Sequence, residues 1–143
     1  MSDTELPPPP PNPALYDMVV VHGKIAYVSG QVSRATDRVI AGHLRENDDL
    51  AEAREAARVS IRRCLSLLQQ KLGSLDRIER VLTVRGFVSA APEFKRHPEV
   101  MDAASELLKE YLGERARHVR SALGVSSIPG GGLTEIEMTV AIT

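Results

Sequence analysis

Between Leu50 and Ala90 the apolar residues change period, from about 3.6 to 2, and this switch limits the fold more than any other stretch of the chain. Leu50, Ala53, Ala57, Ile61, Cys64, Leu65, Leu68 and Leu72 form one stripe, with Glu52, Arg54, Glu55, Arg58, Arg62 and Arg63 largely off it. That pattern predicts an amphipathic helix. Asp48 and Asp49 offer capping oxygens at its start, and Gly73 can end it in the left-handed conformation. Arg80 to Ala90 then sets Leu82, Val84, Gly86 and Val88 against Val81, Thr83, Arg85, Phe87 and Ser89. The first set makes a strand face that needs helices over it.

The flanking sequence supplies further strands and a second helix. Met18 to Val21 and Ile25 to Ser29, separated by His22, Gly23 and Lys24, predict a hairpin, and Val39 with Ile40 a short edge strand. Pro92 ends the long strand. Pro98 suits the first turn of a helix marked by Val100, Ala104, Leu107, Leu108 and Tyr111 and closed by Gly113. After a strand around Arg120 comes a turn at Pro129, Gly130, Gly131 and Gly132. Beyond it Glu135, Glu137, Thr139 and Ala141 alternate with Ile136, Met138, Val140 and Ile142. The predicted class is α+β, with two helices packed on one face of a mixed β-sheet. Residues 16–143 form the single domain, behind a proline-rich flexible leader over 1–15 whose Pro7 to Pro11 favours extended polyproline.

Charge and composition narrow the function classes. With 18 Lys and Arg against 19 Asp and Glu, 3% aromatic residues and no histidine pair for acid–base cleavage, nucleic acid is not an expected partner. Apolar runs are far shorter than the roughly 20 residues a membrane span needs. Cys64, the single cysteine, excludes an internal disulfide and reads as a core residue; the expected location is cytoplasmic. His22, His43, His97 and His118 lack ligand spacing, so no metal site is expected.

Two helices cover one sheet face only. Val81, Phe87, Leu123 and Val125, with Arg85, Glu135 and Glu137, are left for the other face, which predicts a homo-oligomer with polar clefts between subunits. Arg120 is a fixed cation able to bind a carboxylate through its planar fork, or else to pair with Glu135 or Glu137. His118 is either a cleft residue beside Arg120 or a hydrogen-bonded surface histidine.

Tyr16, Gly23, Ser29-Gly30-Gln31, Arg120-Ser121, Ile128-Pro129 and Glu135-Ile136-Glu137 together resemble the RidA/YjgF family, also called L-PSP endoribonucleases, from about Tyr16 to Ile142. The resemblance implies a chorismate-mutase-like fold and a homotrimer with sites in the subunit clefts. It implies that Arg120 holds a substrate carboxylate and Glu135 positions water, while Tyr16, Ser29 and Gly30 line the site. Ala122 stands at a site position where members often carry cysteine. The implied reaction is hydrolysis of reactive enamines and imines to 2-keto acids and ammonia, with no cofactor or metal. A non-catalytic small-carboxylate binder, or the family's older label of endoribonuclease and translation inhibitor, are the other readings. Asp17-Met18 and Val32-Ser33 stand where better-studied members read Ser-Gln and Ile-Pro, which resembles a divergent branch.

An uncovered sheet face predicts association. Sedimentation equilibrium at micromolar concentration should give a mass well above the 15.6 kDa of one chain; a single-chain mass would contradict it.

Overall fold

The structure is a computed structural model that describes residues 5–13 and 15–143. Of the proline-rich leader, residues 1–4 and 14 therefore lie outside the described residues. The elements are β1 (Val19–His22), β2 (Ile25–Val32), α1 (Ala51–Leu72), β3 (Ile78–Ser89), α2 (His97–Leu112), β4 (Val119–Val125) and β5 (Thr134–Ile142). The five strands form one sheet in the order β1-β2-β5-β3-β4. β3 and β4 are parallel, and every other neighbouring pair is antiparallel. β2, α1 and β3 thus make a βαβ unit split by β5, which lies between its two strands. Both helices pack on the same face, as the chain's periodicity requires: an α+β fold with two helices on a mixed sheet.

The core lies between that face and the helices. Ala53, Ala57, Ile61, Cys64, Leu65 and Leu68 on α1 are wholly buried, as are Ile136 and Val140 on β5. Cys64 Sγ donates to the Ile136 carbonyl at 3.4 Å. Burial pushes its thiol far above the usual range despite the opposing charge of Arg63, which suits a packing role. α1 starts two residues later than the Asp48-Asp49 pair alone suggests. Asp49 Oδ1 accepts from the Ala51 N–H, whereas Asp48 Oδ2 turns back to the Arg45 N–H. Gly73 ends the helix at φ 86°, in the left-handed region.

Two expectations change. Val81 does not join Arg85 on the uncovered face but is fully buried, because the β3–β5 register shifts between Val81 and Thr83 and the extra residue reverses the alternation. Val39 and Ile40 form no strand of the sheet. Val39 makes a single bridge to Arg34, and Ile40 is buried, donating its N–H to the Ser33 carbonyl and accepting from Leu133 N–H. The leader is not merely an appendage. Leu6 packs against the core, and Ser66 Oγ on α1 donates to the Pro7 carbonyl at 2.8 Å.

α2 lies close over β3 and β4. A Cβ on Gly86 would overlap the Sδ and Cγ of Met101, and one on Gly124 would overlap His97 Nε2. Met101 is fully buried, so a shift of its side chain must displace its core neighbours. Gly86→Ala should therefore destabilise the fold by about 1–3 kcal/mol, the usual cost of overpacking a core, read as a lower urea midpoint with unchanged slope. An unchanged midpoint would mean that α2 moves away freely.

Candidate functional site

β5 builds the site because its alternation has only two outcomes. Thr134, Ile136, Met138, Val140 and Ile142 are buried under the helices, so Glu135, Glu137, Thr139 and Ala141 face the uncovered side. The register carries rows across that side. Ser121, Arg85 and Glu137 share one row, and Leu123, Phe87, Glu135 and Val32 the next. Arg85 Nη1 lies 3.7 Å from Glu137 Oε1. A solvated pair at that distance contributes little to stability, but it gives Glu137 a partner other than Arg120.

Glu135 is held differently. The β2–β5 register shifts between Val28 and Gln31, a bulge that brings Gly30 under the Glu135 carboxylate. A Cβ on Gly30 would collide with Glu135 Oε2, so only glycine leaves room for this carboxylate. Gln31, turned into the core, secures the bulge by donating from Nε2 to the Ser29 carbonyl and Oγ at 3.1 and 3.3 Å. Partial burial first, and then the charge of Glu137, push the Glu135 carboxyl above the usual glutamate value. Beside it, Asp17, Tyr27, Ser29, Arg85, Glu137 and Thr139 line a cavity of about 300 Å³. Tyr16 stays 60% exposed ahead of β1, outside that lining.

Arg120 lies on the other face. It pairs in register with Val84, which pairs with buried Met138, so Arg120 and Ala122 point toward α2. Arg120 Nη1 donates to Asp102 Oδ1 and to Ser105 Oγ, both at 3.0 Å, and Nη2 donates to the Pro98 carbonyl at 3.4 Å. Among the described residues the Nε–H and one Nη2 proton of Arg120 have no acceptor. His118 Nδ1 donates to the Ala116 carbonyl, which can only accept. In the neutral ring Nε2 then accepts from Ser105 Oγ at 3.0 Å, so His118, Ser105 and Arg120 form one chain of hydrogen bonds. Arg120 therefore pairs with neither Glu135 nor Glu137. Within one chain the structure joins Glu135, Gly30 and Ser29 on the uncovered face and Arg120 with Ala122 on the helix face.

Sequence reasoning did not single out Asp102, Ser105 or Arg85. The spacing of Asp102 and Ser105 puts both on one face of α2, but nothing local says that the face meets Arg120. Arg85 was legible as a residue of the uncovered face, but not as the cation beside Glu137.

The family described as Endoribonuclease L-PSP matches residues 9–142. The chain is 33% identical over 129 residues to Protein TCP17 of Trypanosoma cruzi, covering 89% of this chain and 81% of that one. Among solved structures, the Atu1372 protein of Agrobacterium tumefaciens, of unknown function, is 34% identical with a TM-score of 0.87, covering 92% of this chain and 86% of that one. A Shewanella oneidensis structure at 24% identity, covering 96% of this chain and 92% of its own, has a TM-score of 0.88 and carries the likeness of fold alone.

The raised Glu135 pKa has a defined sign in stability. Above the ordinary glutamate value the unfolded chain has released this proton while the folded chain still holds it, so stability falls as pH rises through the interval up to the raised value. Glu135→Gln removes that dependence. The wild-type urea midpoint, taken relative to Glu135→Gln, should decline across the interval; a constant difference would show that the carboxylate is not desolvated.

Proposed function

Because this chain belongs to the endoribonuclease L-PSP family, we propose that it is a hydrolytic deaminase converting reactive enamine and imine acids to 2-keto acids and ammonia. The observation that carries this reading is the Glu135 carboxylate, seated on Gly30 with its pKa raised above the usual glutamate value by burial and by Glu137. Such a group can take a proton from water and return it.

The chemistry is modest. An enamine acid such as 2-aminoacrylate tautomerises to its imine, and Glu135 deprotonates a water as its oxygen bonds to the carbon of the protonated imine, giving a neutral carbinolamine. The same carboxyl then protonates nitrogen, the C–N bond breaks and ammonia leaves, while the carbinol hydroxyl gives its proton to the Glu135 carboxylate and becomes the keto carbonyl. Imines hydrolyse in water unaided, so orientation plus acid–base help of roughly 10²–10⁴-fold is enough. Arg120 anchors the substrate carboxylate through its Nε–H and remaining Nη2 proton, its guanidinium being fixed by Asp102 and Ser105.

Since Arg120 and Glu135 occupy opposite faces of one sheet, the site is completed between subunits of a homotrimer. Tyr16, Ser29, Gly30 and Ala122 line the cleft. β4 and β1 are the sheet edges, and the uncovered face exposes Val20, Tyr27, Val119 and Leu123. Apolar groups spread over that face favour its burial against further copies.

The partial use of Arg120 by α2 also favours a second reading, a binder of small carboxylates in which Glu135 performs no chemistry. A pyridoxal-phosphate dehydratase generating 2-aminoacrylate, with timed release of pyruvate, separates the two. The protein should accelerate release, Arg120→Ala should abolish the effect, and Glu135→Ala should reduce it by about 10²-fold or more. No acceleration with retained pyruvate binding would support the binder. RNA cleavage lost in Arg120→Ala would support the activity in the family's name.

A further inference from the structure

A cavity of about 450 Å³ lies between the proline leader and α1, and Glu135 is not among its described lining residues. One wall is Pro7 to Pro11 with Val59, and the other carries Arg34, Arg62 and Arg63. The wall is pinned, because Ser66 holds the Pro7 carbonyl and Leu6 packs against the core.

The cations in it are under-compensated. Arg62 has Glu55 at 3.6 Å, but Glu55 also serves Arg58 at 3.1 Å. Arg63 Nη1 donates to the Arg34 backbone carbonyl at 3.3 Å, and its Nε–H is buried with no acceptor among the described residues. The Arg34 guanidinium has no hydrogen-bonded or ionic partner among the described residues; its Nη2 sits near the Gly130 turn. Glu5 is the one acid among the described lining residues. Desolvation, and then the like charge of Arg34, lower the pKa of Arg63, as expected where two guanidinium groups meet without an anion. A buried donor left unpaired is costly, and each of these groups would gain from an incoming oxyanion.

We propose that this cavity is a binding site for a small organic anion, with a carboxylate or phosphate head held by Arg63 and Arg34 and an apolar body lying on Pro7 to Pro11 and Val59. A bare inorganic anion would leave the proline wall wet. A neutral apolar molecule would leave the Arg63 Nε–H unpaired. The site takes its ligand independently of the Glu135 chemistry, and it gives the leader the role of a wall.

The test is calorimetric titration of the full chain with hexanoate and with hexyl phosphate, with hexanol and inorganic phosphate as controls. At least one of the two amphiphiles should saturate at one per chain, and the stronger identifies the head group. Hexanol and inorganic phosphate should each bind about tenfold or more weakly than the better amphiphile. Arg63→Gln and, in the exposed loop, Arg34→Gln should each weaken binding by a similar factor, while Arg120→Gln leaves it unchanged and Arg63→Gln leaves keto-acid release unchanged. Absence of saturable binding by either amphiphile overturns the proposal. So does equal affinity in both Arg34→Gln and Arg63→Gln, or loss in Arg120→Gln alone, which would put the ligand in the other site.

Discussion

The molecule depends on the pairing of β5 with β2 on one side and β3 on the other. That double antiparallel ladder closes the split between the two strands joined by α1, and it fixes which residues of β5 lie under the helices. Once Ile136, Met138 and Val140 are committed to the core, Glu135 and Glu137 have nowhere to go but the uncovered face. Their chemistry is a by-product of packing: Glu137 acquires Arg85, whereas Glu135 settles on a bulge floored by Gly30.

The two halves of the candidate site are prepared in different ways. Glu135 is tuned by partial desolvation and a neighbouring charge. Arg120 is fixed by neutral and acidic acceptors on α2, with His118 behind Ser105. Preparing a cation and a carboxylate on separate faces keeps them from neutralising each other within one chain. Had Arg120 reached Glu135, the pair would have held the carboxyl below its ordinary value and closed both groups to a ligand.

The elements were legible because period and core coincide in α1, α2 and β5. The stripe Ala53, Ala57, Ile61, Cys64, Leu65 and Leu68 is buried as its spacing demands. Val81 was misplaced because a bulge adds one residue without a composition signal. β4 is the instructive case. Its side chains toward α2 are Arg120 and Ala122, with Gly124 in the same series, while Val119 and Leu123 face outward, inverting the usual apolar-inward rule. α2 comes close enough at Gly124 to exclude a Cβ and offers Arg120 its acceptors on Asp102 and Ser105, tertiary facts absent from local sequence. The packing of the leader was illegible for the same reason, since proline repeats have no period that distinguishes a free extension from a bound one.

The position of β5 also sets the order of assembly during synthesis. It is the central strand, yet it leaves the ribosome after every strand it joins, so β2 waits with an unpaired edge from α1 onward and β3 while α2 and β4 emerge. Domains tend to fold as units once their parts are available, and exposed strand edges are templates for unwanted pairing. The sheet therefore cannot close co-translationally strand by strand. A nascent chain stalled before Thr134 would present two facing edges and a gap one strand wide, a natural target for chaperones or for intrusion by another chain.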